Sequence, residues 1–150
     1  MADDRLKRLT KLKSLQQLRL ARERAEFGGL VARTAEAASQ LRNEEELLEG
    51  DQARQLALLS ADGFDPSDLK LAGLVLEQQQ QATLLARDAV TEREREERKS
   101  RQAVAICEAQ ADNVEQAFRK AHRKSIEKAD GTLAIELAAL GASRKERGQG

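Results

Sequence analysis

His122 and Cys107 are the only histidine and the only cysteine in this 150-residue chain, so they bound the chemistry its side chains can do. A multi-histidine zinc site is impossible with one imidazole, and the helical neighbours of His122 are basic, a poor setting for a histidine-based triad. Cys107 sits among Val104, Ala111 and Val114, where a small buried apolar side chain is expected rather than a reactive thiolate. The paired acids Glu44-Glu45-Glu46 and Glu96-Glu97 read as solvated helix faces rather than general acids or bases. Gly28-Gly29 belongs to no GxxxxGK[ST] or GxGxxG phosphate loop. The residues point to no catalytic group, no cofactor-binding motif and no metal site, hence to a protein that is not an enzyme.

The elements that carry these residues are helical. The chain is 40% hydrophobic and 35% charged, with three Phe, no Trp and no Tyr. That composition lacks the aromatics of a multilayer core and matches coiled coils and long helices. The expected fold is all-α, a long antiparallel two-helix coiled-coil hairpin forming a single domain: helix 1 over about 3–60, a turn at 61–66, helix 2 over about 67–141, and a frayed tail at 142–150. Within the turn, Asp65 is a good N-cap, Pro66 suits the first helical position, Asp68 places a carboxylate in the positive first turn, and Gly63 can supply positive φ. So short a connection places the second helix antiparallel to the first.

Leu6, Leu9, Leu12, Leu15 and Leu18 recur every three residues, which drifts around a 3.6-residue helix and spreads into a broad stripe. From Leu20 the apolar positions settle into steps of three and four through Phe27, Leu30 or Val31, Ala38, Leu41, Leu48 and Leu59, interrupted by polar residues near Glu44 and Asp51. Gly28-Gly29 and Gly50 read as places of close helix approach or bending. In helix 2 a heptad register runs through Leu69, Ala72, Leu76, Gln79, Thr83, Ala86 and Val90, and again through Val104, Cys107, Ala111, Val114, Phe118 and Ala121. Between them, residues 91–101 make the seam polar, and this stretch is expected as a solvated, weakly stable helix with i to i+4 ion pairs. After Phe118 the apolar positions change phase to His122, Ile126, Ala129, Leu133, Leu137 and Leu140, which suggests a different partner surface.

Folding at the turn pairs residues whose numbers sum to about 128, at about 1.5 Å rise per residue, in a rod on the order of 90 Å long. Leu59 then lies near Leu69, Leu20 near Cys107 and Leu9 near Phe118. Helix 1 runs out near residue 124, and the last turns of helix 2 project alone. Formal net charge is zero, which removes any bulk argument for nucleic acid or membrane binding, yet residues 1–33 hold nine basic and four acidic side chains and residues 34–80 hold three basic and ten acidic. The basic start of helix 1 comes beside Arg119, Lys120, Arg123, Lys124 and Lys128. No apolar run approaches the roughly 20 residues of a membrane span, no leader-like apolar region follows the charged N-terminus, and one cysteine fits a reducing cytoplasm. The basic end lacks stacking aromatics, so nucleic acid is not an expected partner.

This layout resembles the FliJ and YscO proteins of flagellar and type III secretion systems. The resemblance is carried by the basic leucine-rich first helix, the central turn, Leu76-Glu77-Gln78-Gln79-Gln80-Gln81 at the start of helix 2, a Glu/Arg/Lys middle and Ile126-Glu127-Lys128-Ala129-Asp130 late in the chain. It implies a non-catalytic central stalk that inserts into a hexameric export ATPase and promotes its assembly. It also implies contact with the export gate membrane protein and escort of export chaperones, in the cytoplasm and peripherally at the inner-membrane export apparatus, without insertion into the bilayer. Carried over by position, the ATPase-facing residues are Leu6, Arg8, Leu9 and Leu12 of helix 1 with Lys120, Arg123, Lys124, Leu133 and Leu137 of helix 2. A gate-facing patch falls at Leu48, Gln52, Ala72, Val75, Leu76 and Gln79, where this chain has small or polar side chains in place of the family's larger or aromatic ones. A coiled-coil adaptor or scaffold unrelated to secretion, and a holdase chaperone, remain the alternatives.

Overall fold

The computed structural model describes residues 2–148 as two helices packed against each other, with no strand among the described residues: an all-α helical hairpin. Helix α1 spans Ala2–Ser60 and helix α2 spans Pro66–Gly148. The turn works as its residues dictate. Gly63 takes φ 75°, a left-handed conformation that costs a Cβ-bearing residue about 1–2 kcal/mol. Asp65 caps α2: its Oδ1 accepts from the Ser67 N–H at 2.9 Å, and its carbonyl accepts from the N–H groups of Asp68 and Leu69. Pro66 is the first helical residue, where its missing N–H has no intrahelical acceptor to lose.

The frayed tail expected at 142–150 is helical as far as Gly148; Gln149 and Gly150 lie outside the described residues. The added turns consist of good helix formers, and Lys145 and Arg147 complement the negative end of the helix.

Burial follows an unbroken heptad along α1 and along α2 as far as Ser125. On α1 the half-buried positions step by three and four through Leu6, Leu9, Lys13, Gln16, Leu20, Glu23, Phe27, Leu30, Thr34, Ala37, Leu41, Glu44, Leu48, Asp51, Gln55 and Leu58. Of the pair Leu30 or Val31 it is Leu30 that faces inward; Leu58 takes the place of the expected Leu59, and Ala37 carries the rhythm in place of Ala38, which is also half-buried, because the three-four steps from Phe27 select them. The leucine ladder at the N-terminus departs from the seam for the same reason. A step of three falls short of a full turn by about 60°, so Leu6 and Leu9 face α2 while Leu12, Leu15 and Leu18 rotate out to solvent.

On α2 the register from Leu69 to Val90 and from Val104 to Ala121 is the inward face, with Thr83 and Cys107 buried. The intervening polar stretch stays in register through Arg93, Glu97 and Ser100, all at least half-buried. It carries the ion pairs Arg93–Glu96 at 3.2 Å, Arg95–Glu92 at 3.4 Å and Arg101–Glu97 at 3.5 Å, two of them spaced three rather than four. The glycines are not close approaches: a Cβ added at Gly28, Gly29 or Gly50 would meet nothing within 4 Å.

The hairpin divides into two compact units. The hairpin unit, Glu23–Val104, includes the turn; the terminal unit joins residues 1–22 to residues 105–150. The pairing rule holds inside each. Lys13 meets Glu115 and Phe27 meets Arg101, both pairs summing to 128, and Thr83 reaches the Glu44 carbonyl at a sum of 127.

Candidate partner-binding surfaces

In the terminal unit, Leu6 and Leu9 are half-buried in the seam, whereas Arg8 and Leu12 are exposed. Lys120, Arg123 and Lys124 are exposed on α2. The structure therefore gathers most of the expected ATPase-facing residues on the surface of one unit, with two leucines beneath them holding the helices together.

Past Ser125 the character of α2 changes. Every residue from Ile126 to Gly148 is exposed, and Leu133, Ile135, Leu137 and Leu140 show 54–74% of their surface to solvent. Ile126, Ala129, Leu133, Leu137 and Leu140 form a stripe at steps of three, four and seven, so this length of helix has an apolar face without a covering helix. Asp3, near the start of α1, borders its beginning together with Lys128, Ala129, Thr132 and Leu133.

Sequence reading missed a side-chain cluster that fixes this end. Lys13 occupies a seam position a leucine would normally fill. Its Nζ lies 2.9 Å from the Glu115 carboxylate and 4.6 Å from the centre of the Phe118 ring. Phe118 in turn stacks on His122, centroids 5.8 Å apart. The Lys13 hydrogen bond lowers the Glu115 pKa below its ordinary 4.5, partial burial opposes that shift, and Arg119, donating at 3.1 Å, adds to it. A lysine among leucines does not announce itself as an inward residue; only the register of Leu9 and Leu20 could have found it.

In the hairpin unit the expected gate-facing set does not form one exposed patch. Leu48, Ala72, Leu76 and Gln79 are half-buried in the seam. Gln79 donates from Nε2 to both the Glu44 carbonyl and the Glu44 carboxylate, and Thr83 donates to the Gln79 carbonyl at 2.9 Å. Only Gln52 and Val75 are exposed, and they flank the seam on opposite sides. Val75 lines a groove with Leu58, Ala72 and Leu71 whose rim carries Asp51, Arg54 and Asp68.

Among the described residues no group of three or more His, Cys, Asp or Glu side chains converges as metal ligands would, and no helix is long and apolar enough to cross a membrane. Comparison of the chain with protein-family models, curated proteins and solved structures found no match.

Proposed function

We propose that this chain is a non-catalytic stalk of a protein-export apparatus, engaging a hexameric export ATPase through its terminal unit. One observation carries the reading: α2 continues beyond the start of α1 as an exposed helix with an apolar stripe, in a unit bearing fifteen basic and nine acidic side chains. A stalk within a six-subunit ring needs a binding surface distinct from its own seam; the seam keeps its phase through Phe118, Ala121 and Ser125, and the exposed apolar stripe beyond Ser125 supplies that surface. The resemblance to FliJ and YscO proteins identifies the partner class; it extends to the export gate protein and to export chaperones as further partners. The exposed groove beside Leu71 and Val75 supports the gate contact better than the seam residues around Gln79 do. The same groove is the observation that favours the second reading, a coiled-coil scaffold with partners at both units.

The test is stimulation of the export ATPase from the same organism by the purified full chain. The Leu133→Asp/Leu137→Asp variant is expected to lose about 30-fold in half-maximal concentration, the size of a lost interface hot spot, with helicity and melting unchanged because both side chains are exposed. Reversal of Arg8, Lys120, Arg123 and Lys124 to Glu weakens stimulation as well, most strongly at low salt. Stimulation unchanged in both variants across a salt titration defeats the stalk reading.

A further inference from the structure

A net charge of zero gives no reason to look for a lipid surface. The folded terminal unit does. The residues immediately preceding the seam positions of α1 are Arg5, Arg8, Leu12, Leu15, Arg19 and Arg22, and all are exposed. The residues preceding the seam positions of α2 in the same unit are Ile106, Gln110, Asn113, Ala117, Lys120 and Lys124, also exposed. In an antiparallel pair these two rows share one face. The hairpin unit shows the rule at work by itself: Arg54 lines one groove with Asp68, Leu71 and Val75, and Gln40 lines another with Ala82, Leu85 and Ala89, each the residue before a seam position.

The face so defined in the terminal unit carries six cations, three large aliphatic side chains and no acid. The opposite face, made of the residues that follow the seam positions, holds Glu108, Asp112 and Glu115. Lys13 and Arg119 are both held by Glu115, whereas the six cations of the acid-free face make no ion pair among the described residues. Leu12 and Leu15 are 41% and 62% exposed in the midst of those cations.

We propose that this face docks on an anionic lipid bilayer, with the two helices lying in the interface plane. Interleaved leucines and basic side chains suit the boundary between charged headgroups and acyl chains. A nucleic acid would satisfy the cations but not the leucines, and the face offers no aromatic ring for a base to stack on. The proposal stands independently of the stalk reading, since it concerns the isolated chain. It adds a consequence to it: Arg8, Leu12, Lys120 and Lys124 serve both surfaces, so lipid and ATPase compete for this unit.

Flotation of the full chain with phosphatidylcholine vesicles, with or without about a quarter phosphatidylglycerol, tests this. The chain is expected to float with the anionic vesicles alone and to be released by salt. Arg8→Glu with Lys120→Glu lowers the partition coefficient at least about 25-fold, at roughly fivefold per cation lost. Leu12→Ser with Leu15→Ser lowers it about tenfold. Because the chain has no Trp or Tyr, a Leu15→Trp variant reports the contact directly: its emission shifts to the blue on anionic vesicles, and that of a Leu74→Trp variant in the hairpin unit does not. Absence of flotation overturns the proposal, as does equal flotation with neutral vesicles. Binding that survives loss of the leucines and is matched by duplex DNA also overturns it, and marks a phosphate-binding surface instead.

Discussion

The hairpin unit and the terminal unit share one heptad plan but differ in charge. The hairpin unit holds eleven basic and seventeen acidic side chains, a net of −6; the terminal unit holds fifteen and nine, a net of +6. In the hairpin unit Gln79 and Thr83 answer Glu44, while Ser100 Oγ is buried without a hydrogen bond among the described residues. In the terminal unit Lys13 has Glu115, but Gln16 Oε1 is buried and accepts no hydrogen bond from the described residues. A polar seam position thus differs in energetic weight from place to place: Gln79 is part of a closed network with Glu44, whereas Gln16 is an uncompensated desolvation.

The same substitution made at Gln16 and at Gln79 is expected to have opposite effects. Gln16→Leu removes the unsatisfied oxygen and restores an apolar seam position, so it should raise stability by about 1–2 kcal/mol. Gln79→Leu strips the donor from a half-buried Glu44 and should lower stability by about the same amount. Chemical denaturation of the two variants against the wild type reads the signs directly. Equal effects in the same direction would mean that the hydrogen bonds at Glu44 carry no net weight.

That contrast also explains what could be read in advance. Where apolar residues keep the three-four rhythm, as at Phe27, Leu41, Leu48 and from Leu69 to Val90, the register and the antiparallel pairing were legible, and Lys13–Glu115 fell at the expected sum. Where the rhythm is carried by Lys13, Gln16, Gln55, Arg93 and Glu97, polarity hides it. The leucines at steps of three read as a stripe drifting around the helix, and a fixed register shows that Leu12, Leu15 and Leu18 are the ones that face solvent. The surfaces were therefore half legible. Arg8, Lys120 and Lys124 stood out by charge, but the acid-free face appears only once each residue before a seam position is known. The gate-facing set was placed by analogy in a region where this chain turns most of those side chains inward.

Glycines show the same logic of opposite signs. Gly28 and Gly29 lie in open helix interior, so Ala at each should stabilise by about 0.5–1 kcal/mol. Gly63 also has open space around it, yet its φ of 75° makes Gly63→Ala cost about 1–2 kcal/mol. Thermal melts of the three variants separate backbone conformation from packing, since no added Cβ meets a neighbour.

The smallest effect is electrostatic and belongs to the terminal unit. Because Lys13 holds the folded-state pKa of Glu115 below 4.5, the unfolded chain binds its proton more readily than the folded one. The stability this carboxylate contributes is complete above its ordinary value and is lost as pH falls through the lowered folded value. Protonation would also leave Lys13 and Arg119 without their common anion in a unit that is already basic. Glu115→Gln should therefore lower the melting temperature slightly near neutrality and converge on the wild type as pH falls through the lowered folded-state pKa. A difference that persists unchanged into acid would assign the effect to something other than charge, and the terminal unit would then lose the feature by which its one satisfied seam cation differs from the exposed ones on its basic face.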